Sequence, residues 1–132
     1  MIVIDASALV ELLIGGTPRA ARLAGRIQPA SVTLHAPQLI DLEVASVLRS
    51  LETRGVVTPV LADRAIVDLL ALDVTRYGHE ALIPRAWQLR GNLTPYDAAY
   101  VALAESLRAP LITCDGRLAT APGHRARVEL FG

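Results

Sequence analysis

Ile2, Val3 and Ile4 stand together near the start of the chain and are stopped by Asp5. A continuous β-branched run this short predicts a strand buried on both faces, as in the middle of a parallel sheet. The period then changes: Leu9, Leu12 and Leu13 recur at helical spacing. Thr17-Pro18 supplies an N-cap and first helical residue, predicting a helix to about Ile27 with Arg19, Arg22 and Arg26 on one face. Residues 31–36 alternate weakly and predict a short strand broken by Pro37.

Residues 38–54 are helical in pattern, with an apolar stripe of Ile40, Val44, Val47 and Leu51, widened by Leu48 and stopped at Gly55. Glu43 interrupts this logic by lying on the edge of the buried face. Thr58-Pro59 opens another helix to about Leu72, and residues 73–77 predict a strand. Residues 79–90 predict a helix that Pro84 either kinks or begins, with Trp87 as a core or subunit-interface anchor. After Thr94-Pro95 comes the most apolar helix, residues 96–107, whose alanines permit close packing on most sides. Leu111-Ile112-Thr113 is a strand, residues 117–120 a short helix and residues 128–130 a last strand. Strands alternating with helices imply a three-layer α/β/α fold with a mostly parallel sheet. The length, 132 residues, suits one domain.

Composition narrows the chemistry. Apolar residues make up 52% of the chain, but charges interrupt every run well short of the roughly 18 residues needed to span a bilayer. The first apolar run has no basic segment before it and no cleavage site after it, so a cytoplasmic protein is expected. Cys114 is the only cysteine, which excludes an intrachain disulfide and multi-cysteine zinc sites. All 13 basic residues are Arg, they are balanced by 13 acids, and a catalytic lysine is ruled out. At 4% aromatic residues a base-stacking platform would be sparse, so contacts to nucleic acid must come from local arginines. The Arg19, Arg22 and Arg26 face reads first as a solvated surface and second as a phosphate-binding stripe. His35, His79 and His124 share no metal-ligand spacing, and Tyr96 and Tyr100 read as packing residues.

Four acids stand out: Asp5, Glu43, Asp97 and Asp115 each lie at an element end or on an apolar face. Each has an ordinary explanation. Asp5 can cap the helix after it, Thr94-x-x-Asp97 fits a capping box, Asp115-Gly116 is turn chemistry, and Glu43 can pair with an arginine. Together they say more. Asp5 and Asp115 follow strands and so project from the carboxyl edge of the sheet, where open α/β folds bind ligands. Asp97 and Glu43 lie in first turns of helices that begin at that edge. Two such charges about 4 Å apart repel by roughly 4 kcal/mol at an effective dielectric near 20. With no lysine to offset them, a hard divalent cation, Mg²⁺ or Mn²⁺, fits an all-oxygen donor set.

Asp5-x-Ser7, Leu42-Glu43-Val44, Thr94-x-Tyr96-Asp97-Ala98-Ala99-Tyr100 and Leu111-Ile112-Thr113-Cys114-Asp115 together resemble the PIN-domain ribonucleases. Their order and spacing are similar to those of VapC-type toxins of bacterial toxin–antitoxin pairs, over nearly the whole chain. The resemblance implies a single PIN domain over residues 1–132 that hydrolyses RNA phosphodiesters with Mg²⁺. It further implies Asp5, Asp97 and Asp115 as metal ligands, Glu43 completing the acidic site, and Ser7 and Thr113 orienting carboxylates. Glu43 or Asp115 would accept the proton of the attacking water, and Arg117 would contact phosphate. A cognate antitoxin and homodimerisation are implied as well. The sequence departs from the family at Ser46, where Asn often stands three residues after the glutamate. Receiver-like signalling domains and haloacid-dehalogenase-type phosphatases also gather acids at this edge, but both use a lysine. A PIN-like binding module without activity is the remaining alternative.

Overall fold

The computed structural model describes all 132 residues. Strand β1 (Ile2–Ile4) is wholly buried, and helix α1 (Ala6–Ile14) starts two residues beyond it. A Gly15-Gly16 link, both residues at positive φ, turns the chain into α2 (Pro18–Ile27). There follow β2 (Leu34–Pro37), α3 (Ile40–Thr53), α4 (Pro59–Ala71) and β3 (Val74–Tyr77). A 3₁₀ turn (Glu80–Leu82), α5 (Ile83–Gln88), α6 (Pro95–Leu107), β4 (Leu111–Thr113), α7 (Gly116–Thr120) and β5 (Val128–Leu130) complete the order. No helix is long and apolar enough to cross a membrane.

The five strands run in the order β3-β2-β1-β4-β5, and every neighbouring pair is parallel. Val3 is therefore central, opposite His35 on one side and Leu111 on the other. Helices α1 to α4 pack together, while α6 lies against β1, β2 and β4 with α5 beside it. This division follows from right-handed crossovers that move one way from β1 to β3 and the other way from β4 to β5. The order of connection thus reverses between β1 and β4. Open parallel sheets form a crevice at the carboxyl ends of the strands where that happens.

The caps follow the sequence closely. Thr17, Thr58 and Thr94 each accept the main-chain N–H of the third residue of their helix, with Pro at the first position. Pro37 belongs to β2 as its last residue instead of preceding its end. The Gln38 N–H points to Tyr77 of β3, so the N–H that Pro37 lacks would have pointed toward β1, whose register with β2 extends only to His35.

Four expectations change. The predicted helix at 79–90 divides into the 3₁₀ turn and α5, with Pro84 in the first turn of the latter. Trp87 is no core anchor: it is 62% exposed, and the Arg90 guanidinium lies 4.5 Å from its ring centroid. The α3 stripe is Ile40, Val44 and Leu48 with Leu51 partly buried at its end, whereas Val47 is exposed. The arginine face of α2 is neither free nor continuous, since Arg26 grips Glu129 of β5 through two nitrogens and Arg19 pairs with Glu11 of α1.

Candidate active site

Asp5 leaves β1 with its backbone still in the sheet, its N–H donating to Ile112 O at 3.1 Å. Its side chain caps α1: Oδ1 accepts the Ala8 N–H at 3.0 Å and the Ser7 hydroxyl at 2.7 Å. Oδ2 accepts the hydroxyl of Thr113, the last residue of β4. Those hydroxyl protons are committed by their own acceptor bonds. Cys114 N–H donates to Ser7 Oγ at 2.9 Å, and Asp115 N–H donates to Thr113 Oγ1 at 2.9 Å. The ends of β1 and β4 are thereby tied at the switch point through one carboxylate. Asp5 is 6% exposed, and burial raises its carboxyl above the usual range despite these three donors, with Asp97 adding repulsion.

Asp97 stands in the first turn of α6, where Thr94 Oγ1 accepts its N–H at 3.2 Å. Its carboxyl is also raised, first by burial and then by the charge of Asp115, against the lowering influence of Arg117 and Thr94. Glu43, in the first turns of α3, pairs with no arginine. It accepts the Tyr100 hydroxyl at 2.6 Å, a bond between α3 and α6. Burial and the charges of Asp97 and Asp5 raise its carboxyl, and the Tyr100 donor moderates this. Asp115 caps α7 through the Arg117 N–H at 2.9 Å, and the exposed Arg117 guanidinium lies 3.4 Å from its other oxygen.

These residues line one cleft. Asp5, Ser7, Glu43, Asp97, Asp115 and Arg117 share a space of about 510 Å³ with Tyr100, Cys114, Val47 and Arg19. Thr113 is fully buried beneath it. A slightly larger cavity, about 590 Å³, borders Tyr77, Arg85 and Glu105, but Arg85 and Glu105 already neutralise one another at 2.7 Å. Of the two, the acidic cleft is the one with uncompensated negative charge. Tyr100, read from sequence as packing, is buried as expected but also supplies the donor for Glu43. Its signal was present: a phenol in a helix packed on most sides needs a partner, and it lies one turn from Asp97. Cys114 is half-buried, Ser46 is exposed, and Tyr96 faces solvent. The three histidines lie elsewhere in hydrogen bonds, His35 between Thr33 and Tyr77.

The donor set fits a hard cation. It is oxygen throughout, three of the four carboxyls are raised by burial and by each other, and only Asp115 has an arginine at hand. No three of the acids already close around a single point. Mg²⁺ keeps several waters and takes one or two carboxylates directly, so its binding does not require such closure.

A model of the PIN domain matches residues 2–123. Ribonuclease VapC12 of Mycobacterium tuberculosis is 45% identical over 130 residues, covering 98% of each chain. Among solved structures, VapBC2 from Rickettsia felis bound to a promoter DNA fragment has a TM-score of 0.70 at 11% identity over all of both chains. A toxin-antitoxin complex from Klebsiella pneumoniae has a TM-score of 0.62 at 18% identity over 91% of each. The chain belongs to the PIN-domain family, and within it to the VapC type.

Proposed function

We propose that the chain, as one PIN domain over residues 1–132, is a ribonuclease that hydrolyses RNA phosphodiester bonds with Mg²⁺ or Mn²⁺. The observation that carries this is the meeting of Asp5, Glu43, Asp97 and Asp115 in one cleft at the reversal of strand order. The kinship with a ribonuclease at 45% identity supports the substrate class. Asp5, Asp97 and Asp115 would hold the cation, Ser7 and Thr113 fixing the first of them. When bound, that ion supplies positive charge against the phosphodiester and makes water a competent nucleophile near neutral pH.

The remaining work falls to the protein. Glu43 is the better proton acceptor for the attacking water, because its carboxyl is raised and only one of its oxygens is engaged, by Tyr100. Asp115 is already committed to the α7 cap and to Arg117. Arg117, on an exposed stem at the cleft, would meet a phosphate oxygen entering it. We further propose that the protein is the toxin of a pair, acts in the cytoplasm, forms a homodimer and is silenced by a cognate antitoxin. The likeness to a toxin-antitoxin complex supports this, as do the exposed Leu42, Val60 and Leu70 on α3 and α4.

The test is cleavage of single-stranded RNA by the purified protein. Activity should require Mg²⁺ or Mn²⁺, and Asp5→Asn and Asp97→Asn should each abolish it. Undiminished cleavage in excess chelator would refute the metal-dependent mechanism.

A further inference from the structure

A cleft whose floor is acidic repels a polyanion on either side of the bond it cuts. The bound cation answers for one phosphate only, so the neighbouring phosphates need charges of their own. The chain has no lysine, and the basic side chains on the wall of this cleft are Arg19 and Arg117. Arg19 comes from the α2 face on which Arg26 is paired with Glu129 through two nitrogens, while Arg22, bonded to the Gly132 carbonyl, does not line this cleft.

Arg19 is built differently from an ordinary surface arginine. One nitrogen, Nη2, donates to Glu11 Oε2 at 2.8 Å. Glu11 is itself held by the hydroxyl of Thr17, the residue that caps α2 through the Ala20 N–H. The guanidinium is thus fixed at one corner by α1 and by the cap of its own helix. Its Nε is buried without any hydrogen-bond partner. Of five N–H donors the ion pair uses one, which leaves most of a planar fork unspent beside the acidic cleft. The enclosed Nε is out of a phosphate's reach, but the side chain as a whole is 39% exposed and lines the cleft, so the unspent Nη donors are the ones a phosphate can meet.

We infer that Arg19 is a substrate-positioning residue that binds a phosphate of the RNA strand next to the cleaved bond, with Glu11 holding its guanidinium in place. Arg117 lines the same cleft, so the strand would meet two arginines there. This rests on the ribonuclease reading, and the experiment separates the two.

Binding of a fluorescein-labelled, mixed-sequence single-stranded oligoribonucleotide is followed by anisotropy in an Asp97→Asn background, across KCl concentrations. Cleavage by otherwise wild-type protein is followed with Mg²⁺. Arg19→Ala should weaken binding and raise KM by roughly tenfold, the loss of one charge-assisted contact, while kcat changes little. It should flatten the log–log salt slope by about 0.7, one single-strand phosphate. Arg19→Lys should recover part of the affinity. Glu11→Ala breaks the same ion pair but keeps the cation, and should weaken binding by less than Arg19→Ala does while leaving the salt slope unchanged. Unchanged Kd, KM and salt slope in Arg19→Ala would overturn the inference, as would Glu11→Ala matching its loss, the sign of a merely structural pair. Absence of RNA binding by the Asp97→Asn protein would overturn it too. Failure of the wild type to cleave RNA, with Arg19-dependent binding intact, would overturn the ribonuclease reading alone.

Discussion

Replacing Thr113 by Val removes one hydroxyl and almost no volume, at a position with no solvent exposure. That hydroxyl donates to Asp5 Oδ2 and accepts the Asp115 N–H at 2.9 Å. Both partners would be left without it inside the protein. Loss of a bond to a charged group together with a stranded main-chain N–H should cost ~2–4 kcal/mol. With an unfolding entropy of about 2.1 cal/mol/K per residue, a chain of 132 residues should then melt about 7–14 °C lower. The deficit should depend on pH. Thr113 is the strongest of the hydrogen-bond donors that hold the Asp5 carboxyl down against burial, so the variant's carboxyl titrates higher still. A raised carboxyl pKa means stability that is present at acid pH and lost as pH rises through the folded value. The gap between variant and wild type should therefore be widest near neutral pH and narrow as acid protonates Asp5. Thermal melts at several pH values check this, with Thr113→Ser as control, since it keeps both bonds and gives up a methyl group. A Thr113→Val protein that melts within 2 °C of wild type, or above Thr113→Ser, would refute the reasoning (~0.5 kcal/mol by the same conversion).

Other outcomes follow from the same network. Asp97→Asn should abolish cleavage yet melt no lower than the metal-free wild type, because it relieves repulsion with Asp115 and a burial cost; differential scanning calorimetry in chelator reads this. Adding Mg²⁺ should raise the wild-type melting temperature with concentration, while the Asp97→Asn temperature moves much less. Tyr100→Phe removes the donor to Glu43, so the acid limb of the cleavage pH profile should shift upward; an unmoved limb would count against Glu43 as the proton acceptor. Expression without an antitoxin should arrest growth, and co-expression of the neighbouring antitoxin should restore it, as colony counts would show.

Much of the frame could be read from local rules. Ile2–Ile4, Leu111–Thr113 and Val128–Leu130 are strands where the apolar runs place them, and the three Thr-Pro openings begin helices. These depend on residues a few positions apart. The division of 79–90 was less visible, because the period persists through Pro84 while the proline also suits a first turn. The exposure of Val47 was not visible at all, and that of Trp87 was open only through the interface alternative. Side-chain size predicts burial only where a neighbouring element is there to cover it, and for these two the chain supplies none.

The acids show why the local and the functional explanations of a residue need not compete. Asp5 does cap α1, and Asp115 does cap α7. Capping is also what fixes their orientation: each carboxylate is held by N–H groups of a helix that starts at the carboxyl edge of the sheet, so it stays at that edge. The partners that complete the site arrive from far along the chain. Thr113 is 108 residues from Asp5, and Tyr100 is 57 from Glu43. Such pairs are set by the order β3-β2-β1-β4-β5, which brings β4 beside β1 and lays α6 across both. Reversing the order anywhere else would leave the same caps intact and scatter the charges. The chemistry therefore resides less in any one motif than in the point where the two halves of the sheet diverge.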